Sequence, residues 1–553
     1  MSAPRIYRSK LPDAELTDQD LLTYVFENHG NIKPEIPAFI DAVSGETRSH
    51  GAVLSRTRRL IHVLDNLGVH EREIVAYWSP NTIGYAETCL GIIGRGATVA
   101  TFAPALTPKE FRNQMEIVDA KFLIVHSSLI DTAQLAIQDL PLSWILQSDG
   151  HRMDGMRTIE SLVDLSIEAD IVKVPQKDTE SRITVISFTS GIVGPAKAVK
   201  ISHKNLTSNL IQWDAVQGNC RETAGTWIAF VGFSGVHGLM AFVLATMRTG
   251  MTTVVMSGFD WHIYLGCVQK YRPMQLHVGP PVIYAMIEDQ SIASLDLSSV
   301  RRILSGGAPL PLEAARAVQD TFNRHWGTAV CCHQLLGMSE TSPAAAFGPP
   351  DEHAVRPGIG YIIPNMEFRF VDPFTLRDAI MGQDGVTEPA EIWCRGPNVT
   401  KGYVQSEATQ NAFHVDENGN EWLRSGDMGT IDSSGWIELK DRIIDVIRLG
   451  GATILPSKLE SKIQEHPHVT HSCVVTRRDE IGEQFLTGFV VLQPGLRNLE
   501  RGIVEQAILD WANERVTPHE TLRGGIRVVD SIAQTMGGKL LRRQMRDLLQ
   551  CGS

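Results

Sequence analysis

Residues 186–203 read ISFTSGIVGPAKAVKISH. An apolar, strand-like run, RITVISF at 182–188, leads into this stretch, and a helix-like run, LTSNLIQW at 206–213, follows it. Glycines allow backbone N–H groups to turn toward an anion, and Lys197 adds a positive charge. The stretch therefore predicts a phosphate-binding loop between a strand and a helix. It is not a Walker loop, because Lys197 lies between Ala196 and Ala198, with no Ser or Thr after it. Alone, it fits equally well a plain strand-to-helix turn with a surface lysine.

Composition limits the classes of function. The 553 residues carry a net charge of -12, with 43% hydrophobic and 21% charged residues, which is typical of ordered globular proteins. A nucleic-acid partner is not expected, because affinity for a phosphate backbone needs clustered Lys and Arg. The eight cysteines show no CxxC spacing, which predicts reduced thiols and not a zinc site. We expect no integral membrane segment, and we expect a cytoplasmic location because no secretory or peroxisomal signal is evident.

Strand-like runs alternate with helix-like segments through most of the chain. Alternation of this kind predicts α/β layers with largely parallel sheets. Past residue 360 the pattern changes to closely spaced strands, and a small mixed segment begins near residue 445. The predicted fold is α/β: a large N-terminal body of layered α/β subdomains plus a β-rich segment, with a small mobile α+β C-terminal domain. The predicted boundaries are 1–440 for the large N-terminal domain, 441–445 for a hinge and 446–553 for the small C-terminal domain.

Four further motifs follow the loop in a fixed order. They are SGGAP at 305–309, QLLGMSE at 334–340, RSGDMGTIDSSGWIELKDRIIDVIRLGG at 424–451 and GGKLLRR at 537–543. Together with the loop they resemble the adenylate-forming superfamily of acyl- and aryl-CoA synthetases, luciferases and peptide-synthetase adenylation domains. The chain looks most like an acyl-CoA or 4-coumarate-CoA-ligase-like enzyme.

The resemblance implies a role for each motif. Nucleotide binding is implied for Thr189, Ser190, Gly191, Gly194, Lys197, Gly307, Ala308, Pro309, Leu336, Gly337, Asp427 and Arg442. The catalytic residues implied are Lys539, Ser339 and Glu340, of which Glu340 would also hold Mg²⁺. Asp427 would accept both ribose hydroxyls, with Arg442 supporting the same ribose. Lys539 would bridge carboxylate and phosphate oxygens, and a path for coenzyme A is implied for Arg448, Gly450 and Gly451.

Such an assignment agrees with the chemistry. A carboxylate that attacks the α-phosphate of ATP is already ionised at pH 7, so the barrier lies in bringing two anions together. Cations and N–H donors must therefore supply the stabilisation. Ordinary structural roles for Glu340 as a surface acid, Asp427 as a turn residue and Lys539 as a tail lysine are the alternatives.

Several positions depart from the family pattern. Ile192 and Val193 replace two hydroxyl side chains in the loop, and Leu336 stands where an adenine-stacking aromatic is usual. The segment FSGVHGL at 233–239 matches the family's acyl-side motif only with a shift, which makes His237 a candidate pocket residue. The usual hinge residue is replaced by Ile444. The acid pocket is predicted to be mainly apolar, and its candidate walls are Trp213, Phe233, His237, Val282, Gly306, Gly307 and Met338.

The predicted function is ATP-dependent activation of an aryl or medium- to long-chain carboxylic acid to acyl-AMP, with release of pyrophosphate. Transfer to coenzyme A would then give the thioester, so ATP, Mg²⁺ and coenzyme A are the expected cofactors. Two alternatives remain open at this point. The acceptor could be a carrier-protein thiol or an amine, or the chain could be a binding protein that has lost turnover.

Overall fold

The computed structural model describes residues 5–27, 31–150, 156–189, 196–217, 225–349, 356–449, 452–478, 484–493, 495–496, 500–534 and 540–549. Strands and helices alternate along the first 340 residues, and short-range antiparallel strands dominate between about 360 and 442. The order of elements thus follows the change of pattern in the sequence.

Strands are numbered in chain order. They are β1 (Tyr7–Arg8), β2 (Pro37–Asp41), β3 (Thr47–Ser49), β4 (Ile74–Trp78), β5 (Thr98–Phe102), β6 (Phe122–Val125), β7 (Trp144–Gln147), β8 (Ile183–Phe188), β9 (Ala198–Ser202), β10 (Thr226–Ala229), β11 (Thr252–Val255), β12 (Gln275–Val278), β13 (Arg302–Ser305), β14 (Cys331–Gly337), β15 (Ala344–Phe347), β16 (Tyr361–Ile362), β17 (Glu367–Val371), β18 (Ala390–Arg395), β19 (Phe413–Val415), β20 (Glu421–Ile431), β21 (Ile437–Arg442), β22 (Ile447–Leu449), β23 (Ala452–Ile454), β24 (Val469–Arg478), β25 (Gln484–Leu492) and β26 (Ile526–Val528).

Helices are numbered in the same way. They are α1 (Leu21–Phe26), α2 (His50–Asn66), α3 (Tyr85–Gly94), α4 (Pro108–Val118), α5 (Ile130–Ala136), α6 (Ile159–Asp164), α7 (His203–Gln217), α8 (Val236–Gly238), α9 (Ala245–Thr249), α10 (Trp261–Tyr271), α11 (Pro280–Glu288), α12 (Leu312–Trp326), α13 (Ser406–Ala412), α14 (Pro456–Gln464), α15 (Arg501–Asn513) and α16 (Arg542–Leu548), with a π-helical stretch at Leu239–Leu244 between α8 and α9.

The first large sheet has the order β7-β6-β4-β5-β8-β9. Its first five strands are parallel, and β9 pairs antiparallel with β8 at the edge. Every residue of β5 is buried, as expected for a parallel strand that is covered on both faces. The edge hairpin β8-β9 carries the predicted phosphate loop.

A second layer joins two sheets of the orders β10-β11-β2-β3 and β12-β13-β14-β15-β16. Strands β12, β13 and β14 are parallel, so the carboxyl ends of β13 and β14 lie at one edge. Helix α12 ends at Gly327, which has φ of +62°, and this left-handed turn returns the chain to β14. The two motifs that follow β13 and β14 are thereby brought side by side.

An antiparallel sheet follows, with the order β1-β17-β18-β20-β19 and with β21 paired to β20. Beyond it, β24, β25 and β26 form a separate three-stranded sheet. Helices α14 and α15 pack against that sheet around Leu459, Ile463 and Ile508. The C-terminal segment therefore has its own apolar core.

These observations confirm the predicted α/β class with its β-rich segment and small C-terminal domain, whereas the boundaries at 440 and 445 stay predictions. One element differs from expectation: residues 198–202 form β9, so the loop closes a hairpin before α7 begins. Among the helices described, none is both long and apolar enough to cross a membrane. The cytoplasmic location also stays a prediction.

Candidate functional site

The predicted phosphate loop closes the β8-β9 hairpin. At its base, the Thr189 N–H donates to the Lys197 carbonyl at 3.0 Å, and the Lys197 N–H donates to Thr189 Oγ1 at 3.2 Å. Ser190, Gly191 and Gly194, together with Ile192 and Val193, lie outside the described residues. The described geometry thus fixes both ends of the loop and places Lys197 directly at its exit.

Glu340 is connected to the hairpin through a tyrosine. The Tyr403 hydroxyl donates to Glu340 Oε1 at 2.7 Å, and the ammonium of Lys197 lies 5.3 Å from the centre of the Tyr403 ring. Burial raises the pKa of the Tyr403 phenol, and the Glu340 carboxylate raises it further. The phenol therefore stays a hydrogen-bond donor at neutral pH and holds Glu340 close to Lys197.

The segment at 397–405 holds these two groups together. The Thr400 N–H donates to the Glu340 carbonyl at 2.8 Å, and the Asn398 amide donates to the Thr341 carbonyl at 2.7 Å. On the other side, the Lys200 N–H of β9 donates to the Gly402 carbonyl at 3.0 Å. Backbone hydrogen bonds from one segment to both elements set the spacing of the Lys197 and Glu340 side chains.

Asp427 lies on the neighbouring strand β20. It is opposite Arg442 of β21, and Arg442 Nε lies 3.1 Å from Asp427 Oδ1. Burial raises the pKa of the Cys394 thiol, and the nearby carboxylates of Glu340 and Asp427 raise it further. The two carboxylates predicted for magnesium and ribose are therefore both near enough to raise the pKa of one buried thiol on β18.

The turn that follows β13 is tied to β14 by Gln334. The Gln334 side chain accepts from the Leu310 N–H at 2.7 Å and donates to the Gly358 carbonyl at 3.0 Å. Gly307 has φ of +90°, a backbone conformation that favours glycine. Ala308 and Pro309 complete this turn, with Pro309 exposed.

Strand β14 ends next to the same turn. A Cβ on Gly337 would lie 2.4 Å from the Pro343 carbonyl oxygen, so only glycine fits there. Leu336 is buried and lies opposite Ala346 of β15, whereas Ser339 and Met338 are partly exposed. Leu336 therefore packs within the sheet, and its contact with adenine stays a prediction.

The acid-side candidates form a buried aromatic and histidine cluster. His237, Trp213 and His277 have ring centres 5.6 to 6.3 Å apart. Phe233 is fully buried behind them, with its ring 5.4 Å from that of Tyr85. Gly306 leaves open space, since a Cβ there would meet no described heavy atom within 4 Å.

The predicted hinge region contacts the C-terminal domain. The Ser457 N–H donates to Asp441 Oδ2 at 2.8 Å, and burial raises the pKa of Asp441. Ile444 is exposed, and Arg448 stacks over the Phe374 ring at 4.0 Å. Arg448 therefore contacts the large body here, while Gly450 and Gly451 lie outside the described residues.

Lys539 also lies outside the described residues, but the chain just after it is anchored. Arg542 Nη2 donates to Glu460 at 2.8 and 2.7 Å, and Arg542 Nη1 lies 3.6 Å from Asp445. Burial raises the pKa of Glu460 to about 7, although the Arg542 guanidinium opposes this. Gln534 and Leu540, the described residues that flank 535–539, form an isolated antiparallel β-bridge.

Three residues with contacts in the site had no role in the sequence analysis: Tyr403, Cys394 and His277. Tyr403 lies within the KGY run at 401–403, and His277 alternates with Gln275 in an otherwise apolar strand. A polar residue on the inner face of a buried strand was the available signal for His277. Cys394 had none, because its neighbours come from distant parts of the chain.

A magnesium ion suits this donor set. Mg²⁺ keeps several waters and takes phosphate oxygens, so one or two protein carboxylates are sufficient. Glu340 is oriented by Tyr403 and is only 9% exposed. The residues present therefore fit the ion.

Curated relatives cover nearly the whole chain. The chain is 28% identical over 513 residues to peroxisomal OPC-8:0-CoA ligase 1 of Arabidopsis thaliana, covering 92% of this chain and 90% of the relative. It is also 28% identical to 4-coumarate–CoA ligase 4 of the same plant, covering 99% and 94% respectively. The similarity therefore extends through both domains.

Solved structures share the fold. The anthranilate CoA ligase AuaEII in complex with anthranoyl-AMP superposes with a TM-score of 0.82 at 19% identity, covering 98% of each chain. The profile of the AMP-binding enzyme family matches residues 26–404, and that of the AMP-binding enzyme C-terminal domain matches residues 458–539. Because the first match spans more than half of the chain, the protein belongs to the AMP-binding enzyme family of adenylate-forming ligases.

Proposed function

We propose that the protein activates an aryl or medium- to long-chain carboxylic acid with ATP, forming acyl-AMP and pyrophosphate, and then transfers the acyl group to coenzyme A. The observation that carries this proposal is the convergence of Lys197, Glu340 and Asp427. The hydrogen bond and ring contact of Tyr403 connect the first two, and Glu340 and Asp427 both lie near the Cys394 thiol. A nucleotide needs these three groups together: a cation for its phosphates, a carboxylate for its metal and another for its ribose.

In the first half-reaction, a carboxylate oxygen of the acid attacks the α-phosphorus and the bond to the β,γ-pyrophosphate breaks. Lys197 and the N–H groups of the loop bind the β- and γ-phosphates and stabilise the charge on the leaving pyrophosphate. Ser339 donates its hydroxyl to the α-phosphate, and Lys539 bridges the attacking carboxylate and the phosphate. Positioning two anions in this way lowers the barrier without a general base.

Glu340 would hold Mg²⁺, which would supply positive charge to neutralise the phosphates. Tyr403 keeps the carboxylate oriented through its 2.7 Å hydrogen bond. Asp427 accepts the ribose hydroxyls, and Arg442, whose Nε lies 3.1 Å from Asp427 Oδ1, pairs with this carboxylate.

In the second half-reaction, the thiolate of coenzyme A attacks the acyl carbon and AMP leaves. We infer that the C-terminal domain rotates about residues 441–445 between the two steps. Asp441 and Asp445 hold the C-terminal domain through Ser457 and Arg542, so these contacts must persist or be exchanged as the hinge turns. The segment at 448–451 would then line the thiol path.

A product assay tests the proposal. The purified protein is incubated with ATP, Mg²⁺ and a panel of aryl and fatty acids, with and without coenzyme A. We expect acid-dependent pyrophosphate release and an acyl-CoA product that appears only when coenzyme A is present. Formation of acyl-AMP without any thioester would contradict coenzyme A as acceptor and would favour a carrier-protein thiol or an amine.

The variant Lys539→Ala is the control for adenylation. It removes the cation that stabilises the transition state, so pyrophosphate release should fall by roughly a hundredfold or more. Release that is unchanged in this variant would contradict the assigned role of Lys539. If no acid causes pyrophosphate release by the unchanged protein, a binding protein without turnover would be favoured.

A further inference from the structure

Three polar side chains form a hydrogen-bonded chain beside the acid pocket. Gln275 Nε2 lies 2.8 Å from His277 Nε2, and His277 Nδ1 lies 3.5 Å from His237 Nε2. Gln275 and His277 are two residues apart on β12 and share one face of the strand. The polar groups are thus lined up along one side of the sheet.

Apolar rings surround both histidines. The ring of His277 lies 5.1 Å from Phe242 and 5.5 Å from Trp227, and the His237 ring lies 6.1 Å from Phe242. Burial lowers the pKa of His237 to about 4 and that of His277 well below its usual value. Both side chains are therefore uncharged at neutral pH.

The order of the contacts gives the chain a direction. A neutral imidazole has one N–H donor and one acceptor nitrogen. The Gln275 amide donates to His277 Nε2, which leaves His277 Nδ1–H to donate to His237 Nε2 and puts the remaining proton of His237 on Nδ1. Within the described part of the chain this buried Nδ1 has no hydrogen-bond partner. A buried donor without a partner costs free energy, which points to an absent ligand.

The hydrogen-bonded side chains of Gln275, His277 and His237 lie on the face of the sheet that adjoins the predicted acid site. The Gly306 N–H donates to the carbonyl of Val278, the residue after His277, at 3.1 Å. Leu304, opposite His277 in register, is two residues before Gly306 and shares its face. The space at Gly306 therefore lies two residues beyond His277 on the same side.

A cavity continues this face in the other direction. Its lining includes Gln275, Leu304, His333, Phe347 and Gly348. The ring of Phe347 is also 5.4 Å from that of Trp213. Free space is thus present on both sides of the two histidines, next to Gly306 at one end and next to Gln275 at the other.

We propose that His237, oriented by His277 and Gln275, donates a hydrogen bond to an uncharged oxygen on the tail of the acid, so that the enzyme selects acids with an ether, carbonyl or hydroxyl oxygen there. The proposal rests on the proposed function, since it assigns the tail of the same substrate.

Matched acids test this selection. We compare para-methoxycinnamic with para-ethylcinnamic acid, the corresponding meta pair, and an oxo fatty acid with the unsubstituted fatty acid of equal chain length. Pyrophosphate release gives kcat/KM for each. In at least one pair we expect the oxygen-bearing acid to be favoured roughly tenfold, the effect typical of one buried hydrogen bond.

Two variants assign the effect to the polar chain. His237→Phe removes the donor, and the preference in that pair should fall to about one. Gln275→Leu, at a partly buried position, removes the group that orients His277 and should lower the preference if His237→Phe does not fold. Phe347→Leu is the matched control: it changes the shape of the same face but should keep the preference.

The possible outcomes distinguish a failure of the hydrogen-bonding assignment from a failure of the proposed ligase function. Equal kcat/KM within every pair, or a preference that survives both His237→Phe and Gln275→Leu, overturns the hydrogen-bonding assignment while the ligase activity stands. No turnover of any acid overturns the proposed function, and the tail assignment with it.

Discussion

The two sides of the candidate site hold their ligands in opposite ways. On the nucleotide side, the basic residues Lys197 and Arg442 and the acidic residues Glu340 and Asp427 contact one another or a phenol. On the acid side, His277 is buried and His237 is half-buried among aromatic rings, and burial lowers the pKa of both imidazoles. One side is thus arranged for charges and the other for uncharged groups.

The difference follows from the ligands. ATP and Mg²⁺ bring charges, which are stable in a protein only when paired or hydrated. An acyl or aryl tail brings apolar surface, so a dry site binds it well, and a single hydrogen bond there provides discrimination. Substitutions on the two sides should therefore change different quantities: turnover and KM for ATP on one, acid preference and pH stability on the other.

The largest effect is expected from Glu340→Gln. The amide is nearly isosteric and can still accept the Tyr403 hydrogen bond, but it removes the charge proposed to hold Mg²⁺. The kcat for acid-dependent pyrophosphate release should fall by about a hundredfold or more, without a change in preference between matched acids. Tyr403→Phe, which removes only the hydrogen bond, should cost about tenfold or less. A Glu340→Gln enzyme close to wild-type kcat would exclude this carboxylate as the metal ligand.

On the acid side, we expect His237 to make the free energy of unfolding depend on pH. A histidine in the unfolded chain takes up its proton near pH 6.5, whereas burial lowers the pKa of His237 to about 4 in the folded protein. The folded state therefore binds fewer protons between these values, and stability is lost as the pH falls from 6.5 toward 4. At pH 5 the contribution of this one group is about 2 kcal/mol.

Urea unfolding at pH 5, 6 and 7 checks this sign. The wild-type protein should lose more free energy of unfolding on acidification than His237→Phe does. The exposed His262 supplies a matched control, since His262→Phe removes a histidine without opening the buried cluster. An identical pH dependence for wild type and His237→Phe would show that the side chain is not buried in its neutral form.

A smaller effect is expected from Asp427→Asn. The variant weakens the hydrogen bonds from the ribose hydroxyls, and the KM for ATP should rise about tenfold while the KM for the acid stays the same. Arg442→Gln should raise the KM for ATP less, because the Arg442 side chain is 43% exposed and its pairing with Asp427 is screened by water. A rise in the KM for the acid in either variant would contradict the separation of the two sides.

The smallest effect is expected in the phosphate loop. The double variant Ile192→Thr, Val193→Thr adds two hydroxyl donors beside backbone N–H groups, and it should lower the KM for ATP about two- to threefold. The measurement is initial rate against ATP concentration at saturating acid. An unchanged or higher KM would mean that these hydroxyls are not limiting contacts.

Much of the fold could be predicted from local patterns. The run at 182–188 corresponds to β8 at Ile183–Phe188, and QLHVG at 275–279 corresponds to β12 at Gln275–Val278. Strand β9 is not evident from the sequence, because the run AVKIS directly follows a glycine-rich loop and resembles a continuation of it. Strand β9 becomes a strand by pairing with β8 across the loop, and a five-residue run is too short to indicate that pairing.

The candidate site was predicted less evenly. Motif order alone indicated Glu340, Asp427 and Lys197, but the bridge through Tyr403 joins positions 63 residues apart. The polar chain is similar, because Gln275 and His277 are neighbours on a strand whereas His237 comes from a distant helix. Contacts between distant segments leave no periodicity in either segment.

By itself, the sequence determined the α/β class, the order of the motifs and the residue types that a nucleotide requires, because these depend on local pattern and side-chain chemistry. Only the tertiary structure decided which of those groups meet. It brought Lys197, Tyr403 and Glu340 together through backbone hydrogen bonds of the segment at 397–405, and it left the Nδ1 of His237 buried beside the acid pocket. The physical reason is that burial and hydrogen-bond partners are set by the packing of distant strands, which no short stretch of chain encodes.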